Sequence, residues 1–193
     1  DFARLNLVIV VDADGALFSS DFRAPERLYA TLTQVAGRAG RNARAADAAP
    51  GRVIVQTRFA DHTVFASLQA HDYAGFADAQ LADRQAAALP PFSFQALLRL
   101  EASDAEQALA FGRQAGQAGR TLIEQSGQAI AGLSVYDPIP MPLARVAGRA
   151  RAQLLIESQA RPVLHRFATA WLGRLGEIKT AVRWQLEIDP SEI

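Results

Sequence analysis

The sequence contains no cysteine and only one lysine, Lys179, among its 20 basic residues. Without cysteine the chain forms no disulfide, holds no metal through thiolates and has no cysteine nucleophile. The three histidines lie far apart in the sequence, at His62, His71 and His165, so we predict no metal site. Long apolar runs are also missing. The run at Leu5–Val11 is too short to cross a membrane, and no basic head or small-residue cleavage site indicates a signal peptide.

Positive and negative charges balance over the whole chain. Half of the 193 residues are hydrophobic and the formal net charge is zero, which predicts a folded core and excludes a uniformly basic surface. The balance conceals local blocks. Residues 23–58 hold seven arginines against two acidic residues, and residues 143–174 hold six against one. These two blocks are the candidates for binding an anionic partner.

The pattern of apolar residues divides the chain into two parts, with a boundary at Pro90-Pro91. In the first part we predict, in order, a parallel strand at Leu5–Val11, a helix at Pro25–Val35, a strand at Arg52–Thr57, and helices at Thr63–Ala70 and Tyr73–Leu89. In the second we predict strands at Phe94–Ala102, Ala131–Asp137, Ala150–Ser158 and Ala181–Ile188, with helices at Asp104–Gln125, capped by Ser103, and at Arg161–Leu175. The segment with Pro138, Pro140 and Pro142 is predicted to be a loop. The fold class is therefore α/β (α+β), and the order βαββαβ of the second part is typical of a ferredoxin-like sandwich.

The strand at Leu5–Val11 is rich in β-branched residues and is predicted to be buried on both faces of a parallel sheet. Such a strand needs neighbours on both sides, and no residues precede it that could supply one. We therefore expect this chain to be a fragment of a longer protein. An apolar edge left exposed recruits another strand, so we predict a non-native dimer or aggregate through Leu5–Val11.

A pair of carboxylates, Asp12 and Asp14, follows this strand directly. The string resembles the nucleophile motif of haloacid-dehalogenase-like phosphatases, with Asp12 as nucleophile and Asp14 as general acid. That chemistry also needs a lysine and a later acidic pair that holds magnesium. Lys179 lies outside the first part and no such pair follows. The simpler interpretation is a turn at Asp14-Gly15 with the glycine at positive φ, and the phosphatase remains an alternative.

A second motif is the octapeptide from Gln34 to Arg41, Gln-Val-Ala-Gly-Arg-Ala-Gly-Arg, in which the predicted helix ends. Its glycines allow close approach to a ligand, and its two guanidinium groups suit the γ-phosphate of a nucleotide. Gly-Arg pairs are frequent in this chain, and Val-Ala-Gly-Arg-Ala recurs at Val146–Ala150. Only the complete octapeptide therefore carries a functional signal.

The octapeptide resembles motif VI of superfamily-two helicases, Q-x-x-G-R-x-G-R. The neighbouring strings are similar to the PriA (primosomal protein N-prime) family of bacterial replication-restart helicases, and the similarity covers essentially the whole chain. These strings are Val11–Arg23, the G-x-V-x-x-Q-T strand at Gly51–Thr57, Leu89–Phe92, Pro138–Pro140, Arg149–Leu155 and Trp184–Pro190. In this comparison Asp1-Phe2 corresponds to the tail of motif V.

The resemblance implies an ATP-dependent 3′-to-5′ DNA helicase that recognises stalled or branched replication forks and starts primosome assembly. Residues 1–89 would be the end of a RecA-like helicase lobe, and residues 90–193 a C-terminal domain. That domain would bind branched or single-stranded DNA, the single-strand-binding protein and other primosome proteins in the bacterial cytoplasm, at the nucleoid. Arg38 and Arg41 would be catalytic, and Gln34, Gly37 and Gly40 would bind nucleotide with them.

Other parts of the family pattern are absent: the Walker A Gly-Lys-Thr, the acidic box and the cysteine-rich zinc module. ATP and Mg²⁺ would therefore serve the full-length protein, while this chain alone is expected to be inactive and to bind neither tightly.

Arg145, Arg149 and Arg151 cluster in the second basic block, in a predicted loop that enters a strand. They suit phosphate contacts that do not depend on base sequence. The alternatives are a solvated surface loop and, for the whole chain, a non-catalytic module that binds DNA or protein. The candidate aromatic partners for single-stranded DNA are Phe92, Phe94, Tyr136, Trp171 and Trp184. The helical spacing of Phe111, Phe167 and Trp171 favours a core position for those three.

Overall fold

The computed structural model describes residues 6–19, 21–39, 51–130 and 132–193. The chain is a mixture of α-helices and β-sheets, as predicted, and separates into two compact units, residues 1–83 and 84–193. None of the helices in the described ranges combines the length and the apolar character needed to span a bilayer.

The first unit contains a parallel pair of strands, β1 and β2, in which Leu7 lies opposite Arg52 and Val10 opposite Val55. Its elements are β1 (Leu7–Val10), α1 (Ala13–Leu17), α2 (Ala24–Ala39), β2 (Arg52–Val55), α3 (Thr63–Ala70) and the greater part of α4 (Tyr73–Ala86). Helix α3 has the predicted bounds. Helix α2 begins one residue before the predicted Pro25 and continues four residues beyond the predicted end at Val35.

The core of the first unit is formed by residues of α1, α2, α3 and α4. Leu32 and Val64 are fully buried there, and the ring of Tyr29 stacks on that of Phe76 with centroids 4.4 Å apart. Val10 of β1 and Val55 of β2 are partly buried and pack against this cluster. The helices therefore cover one face of the strand pair.

The prediction that β1 is buried on both faces is wrong for its described residues. Val8 and Val10 are half-buried, whereas Leu7 and Ile9, on the opposite face, are 47% and 58% exposed. The physical reason is the one-sided cover of the strand pair. The predicted association through this strand stays a prediction, and Leu5 lies outside the described residues.

The segment after β1 also differs from the prediction. Asp12, not Gly15, has the left-handed backbone conformation, with φ 55°, and its side chain accepts a hydrogen bond from the Gly15 amide. Aspartate tolerates this conformation and is a favourable N-cap. The predicted turn at Asp14-Gly15 is therefore the beginning of the short helix α1.

The second unit is an antiparallel sheet with the spatial order β4-β6-β3-β7, in which β5 also pairs with β6. Its strands are β3 (Phe94–Ala102), β4 (Leu133–Val135), β5 (Ile139–Val146), β6 (Arg149–Ser158) and β7 (Arg183–Ile188), and its helices are α5 (Ala105–Ser126) and α6 (Arg161–Glu177). Since β3 occupies one edge of β6, both β4 and β5 lie along the other edge.

Helices α5 and α6 pack on one face of this sheet. Leu98 and Leu100 of β3 meet Phe111 of α5 and Phe167 and Trp171 of α6, all of them buried. The indole N–H of Trp171 donates to the carbonyl oxygen of Ala115 at 2.9 Å. The core positions predicted for Phe111, Phe167 and Trp171 are confirmed.

Three buried glycines of α5 bring this helix close to its neighbours. A Cβ added at Gly112 would lie 2.6 Å from Cβ of Pro138 and 3.0 Å from Cδ1 of Leu100. One added at Gly119 would lie 3.2 Å from the ring of Phe167. The helix can approach this closely only because these positions have no side chain.

Two predictions in the second unit are wrong. The segment around Pro140 is strand β5 rather than a loop, and its pairing with β6 is irregular between Pro140 and Arg145. It is an edge strand, and proline is tolerated there because one row of amides has no strand partner. The N-cap of α5 is Asp104, not Ser103: the Asp104 carboxylate accepts from the Gln107 amide at 2.9 Å.

We predict that Gly112→Ala destabilises the second unit by about 1–3 kcal/mol, because the new methyl group has no room beside Pro138 and Leu100. The control is Gly173→Ala on α6, where no atom of the described residues lies within 4 Å of the added Cβ and alanine favours the helix. Urea unfolding followed by tryptophan fluorescence reports this unit, since it holds both tryptophans. Equal stability of the two variants would contradict the close packing of α5.

Candidate functional sites

The octapeptide begins on the last turns of α2. Gln34, Gly37 and Arg38 are all exposed, and their spacing places them on one face of the helix. Gly37 is helical, so α2 does not end before it, and a Cβ added to it would have no described atom within 4 Å. Gly40 and Arg41 lie outside the described residues. The described part of the motif therefore presents Arg38 and Gln34 together to solvent.

Asp14 is held by the residues that follow β2. Its carboxylate accepts from Oγ1 of Thr57 at 2.5 Å and from the Arg58 amide at 3.0 Å. The Thr57 hydrogen bond, followed by the amide and charge of Arg58, lowers the pKa of Asp14 and outweighs the opposing effect of partial desolvation. These contacts join α1 to the residues that follow β2 and give Asp14 a structural role.

Thr57, which holds Asp14, also contacts the loop after β2. Oγ1 of Thr57 also accepts from the Phe59 amide at 3.0 Å, and the Phe59 ring meets that of Phe18 edge-on, with centroids 4.6 Å apart. Within the described ranges, no three acidic or histidine side chains are grouped so that they could hold a metal ion. The carboxylates after β1 are thus part of a structural junction.

Arg145, Arg149 and Arg151 lie on a β-hairpin rather than in a loop. Arg145 is in β5 and the other two are in β6, joined by a two-residue turn at Ala147 and Gly148. Both turn residues have positive φ, 48° and 78°, as a type I′ turn requires. A hairpin holds its side chains in a defined register, so these arginines have fixed positions.

The arginines of the hairpin form hydrogen bonds and ion pairs with the end of β3 and the start of the following loop. Arg145 donates to the Ser103 carbonyl at 3.4 Å, and Arg149 donates to the Glu101 carbonyl at 3.2 Å. The Glu101 carboxylate lies 3.9 Å from Nε of Arg149 and 3.8 Å from Nε of Arg151. The structure thus gathers all three predicted arginines around the C-terminal end of β3, and it adds Glu101, which no sequence pattern indicates.

The aromatic candidates differ in accessibility. Phe92 and Tyr136 are 41% and 47% exposed, whereas Trp171 is fully buried in the core. The guanidinium of Arg161 lies over the ring of Phe94, 5.5 Å from its centroid. The prediction that Trp171 stacks on DNA bases is therefore wrong, and Phe92 and Tyr136 are the most exposed candidates.

Comparison with known proteins identifies the family. The family model for the primosomal protein N C-terminal domain matches residues 85–191. The replication restart protein PriA of Haemophilus influenzae is 38% identical over 192 residues and aligns with 100% of this chain. The chain belongs to the PriA family. The PriA proteins of a Synechocystis species and of Treponema pallidum are 34% and 32% identical, again over 100% of this chain.

The chain spans about a quarter of the length of these PriA proteins: 25%, 22% and 28% of the three relatives, respectively. The alignment with the Haemophilus influenzae protein extends over the complete chain and therefore includes the octapeptide, Asp14 and the arginine hairpin.

We predict that Asp14→Asn destabilises the first unit at neutral pH and removes part of its pH dependence. The folded state lowers the pKa of Asp14, so its carboxylate stabilises the fold above the ordinary aspartate pKa of about 3.9. That stabilisation is lost as the pH falls through the lower pKa of the folded state. Urea titrations between pH 7 and pH 3, followed by circular dichroism, measure it.

The control is Asp61→Asn, which removes an exposed carboxylate from the loop after β2. We expect it to leave the pH profile of the wild type unchanged. An Asp14→Asn profile parallel to that of the wild type throughout this range would contradict the assigned role of the Thr57 and Arg58 contacts.

Proposed function

We propose that this chain is the C-terminal part of an ATP-dependent 3′-to-5′ DNA helicase that recognises stalled or branched replication forks and starts primosome assembly. The observation that carries the proposal is the alignment of the complete chain with proteins named replication restart protein PriA. The relatives are about four times longer, so helicase activity is assigned to the full-length protein. Its place is the bacterial cytoplasm, at the nucleoid.

Residues 1–89 are proposed to be the end of a RecA-like helicase lobe, and residues 90–193 a ferredoxin-like domain. The parallel pair β1–β2, connected through α1 and α2, supports the first assignment. The antiparallel order β4-β6-β3-β7, with both helices on one face, supports the second.

In the full-length protein, Arg38 and Arg41 are proposed to stabilise charge on the phosphates of ATP–Mg²⁺, with Gln34, Gly37 and Gly40 beside them. The exposure of Gln34 and Arg38 on one helical face supports this role. A guanidinium that reaches the γ-phosphate acts at the transition state rather than in ground-state binding.

The hairpin arginines are proposed to bind the phosphate backbone of branched or single-stranded DNA. Three guanidinium groups fixed at one end of a sheet supply several donors at defined positions, and this suits phosphate oxygens. The exposed rings of Phe92 and Tyr136 are candidates for base stacking. Single-strand-binding protein and other primosome proteins are the proposed protein partners.

We predict that the 193-residue chain alone shows no DNA-stimulated ATP hydrolysis, because its sequence has no Walker A Gly-Lys-Thr. In the full-length protein, Arg38→Ala or Arg41→Ala should lower ATP turnover by about 10³-fold while fork binding persists. The measurement is phosphate release with and without forked DNA. The control is Arg52→Ala, which removes an exposed arginine of β2 that lies outside the octapeptide. Wild-type turnover in the Arg38/Arg41 double variant would overturn the nucleotide assignment.

We predict weak, salt-sensitive binding of forked DNA by the chain. Changing Arg145, Arg149 and Arg151 together to Gln should reduce the slope of log affinity against log salt by about two to three units, since fewer counterions are released. Fluorescence anisotropy at several salt concentrations measures this slope. The control changes three helical arginines to Gln, Arg113, Arg166 and Arg174, and should leave the slope nearly unchanged. Equal slopes for the two triple variants would assign the hairpin arginines to a merely solvated surface.

A further inference from the structure

One acidic side chain lies among the proposed phosphate-binding arginines. Glu101 is near the end of β3, directly opposite Arg151 on β6 and directly opposite Arg183 on β7. In an antiparallel sheet, residues opposite each other project from the same face, so these three side chains share a face. A single carboxylate is therefore placed in the middle of a basic row.

Glu101 contacts the hairpin through ion pairs that lack a close hydrogen bond. Its carboxylate oxygens lie 3.8–3.9 Å from the Nε atoms of Arg149 and Arg151, beyond the length of a good hydrogen bond. Nε of Arg149 is buried and has no hydrogen-bond partner among the described residues. The side chain of Glu101 is itself 43% exposed. The carboxylate thus cancels charge without saturating the donors of either guanidinium.

Resting on the DNA-binding role proposed for the hairpin, we propose that Glu101 weakens phosphate binding by competing with the DNA backbone for Arg149 and Arg151. A phosphodiester that approaches the pair meets the charge of Glu101 together with that of the arginines. The main-chain carbonyl of Glu101, which accepts from Arg149 at 3.2 Å, positions one guanidinium whatever the side chain at this position. Loss of the carboxylate therefore removes the competing charge and keeps this positioning contact.

The size of the effect follows from the distance. Two unit charges about 4 Å apart in water interact strongly enough to change an equilibrium about fivefold. Salt screens part of this, and exposed pairs vary, so the expected gain in affinity on neutralising Glu101 is about threefold to tenfold. Each arginine released from Glu101 also carries its own counterion before DNA binds. The salt dependence should become steeper by about one unit as well.

The experiment compares Glu101→Gln with the wild-type chain in binding to forked DNA by fluorescence anisotropy, over a range of salt concentrations. The matched control is Glu187→Gln, which removes a carboxylate from β7 that pairs with Arg99 at 2.9 Å rather than with the hairpin. We expect tighter binding and a steeper slope for Glu101→Gln, and wild-type values for Glu187→Gln. If the Gln variant fails to fold, Glu101→Thr removes the same charge with a residue that favours strands.

Unchanged or weaker DNA binding by Glu101→Gln would overturn the inference, as would an equal gain in the Glu187→Gln control. A gain in affinity for a poly-glutamate peptide without a gain for DNA would also overturn it, because the surface would then select acidic protein. The triple change at Arg145, Arg149 and Arg151 distinguishes failure of the competing role of Glu101 from failure of the DNA-binding role of the hairpin. If that change weakens DNA binding but Glu101→Gln has no effect, only the competing role fails. If it has no effect on DNA binding, the proposed function of the hairpin fails too.

Discussion

The close packing of α5 against the sheet is the constraint on which the second unit depends. Gly112 and Gly119 let the helix approach Pro138 and Phe167, and the hydrogen bond from Trp171 to the Ala115 carbonyl joins it to α6. Because α5 begins directly after the short loop that follows β3, this packing also fixes the end of β3 and the loop itself. Arg145 and Arg149 donate to carbonyls of that same stretch. The position of the arginine hairpin is thus a consequence of the core.

The regular elements of the fold follow from local patterns. The bounds of α3 and β3 agree with the predicted ones, and α5 differs by one residue at each end, because apolar periodicity and end signals coincide there. Strand β5 does not follow from its local pattern because prolines dominate its first half, and only its position at the edge of the sheet makes them tolerable. The predicted α2 is too short because Gly37 resembles an end signal, although a glycine on an exposed helical face costs only about 1 kcal/mol.

The candidate sites also contain features that the sequence predicts and features that it does not. The arginines of the octapeptide and of the hairpin are visible in the sequence because each group is close together along the chain. The residues that contact Asp14 and the hairpin arginines cannot be found in this way, because they are distant along the chain. Thr57 is 43 residues from Asp14, and Glu101 is 48 residues from Arg149, so only strand pairing brings them together. Strand pairing also explains why a basic row on the surface of the sheet contains a carboxylate.

We propose that the second unit binds DNA through the β5–β6 hairpin and the adjoining end of β3. The most direct measurement is the amide NMR spectrum of the 193-residue chain, titrated with forked DNA. We expect the largest shifts at residues 145–151 and 101–104, and we expect them to disappear as salt is raised. Shifts confined to the exposed faces of α5 and α6, or to the first unit, with none at the hairpin, would contradict this proposal.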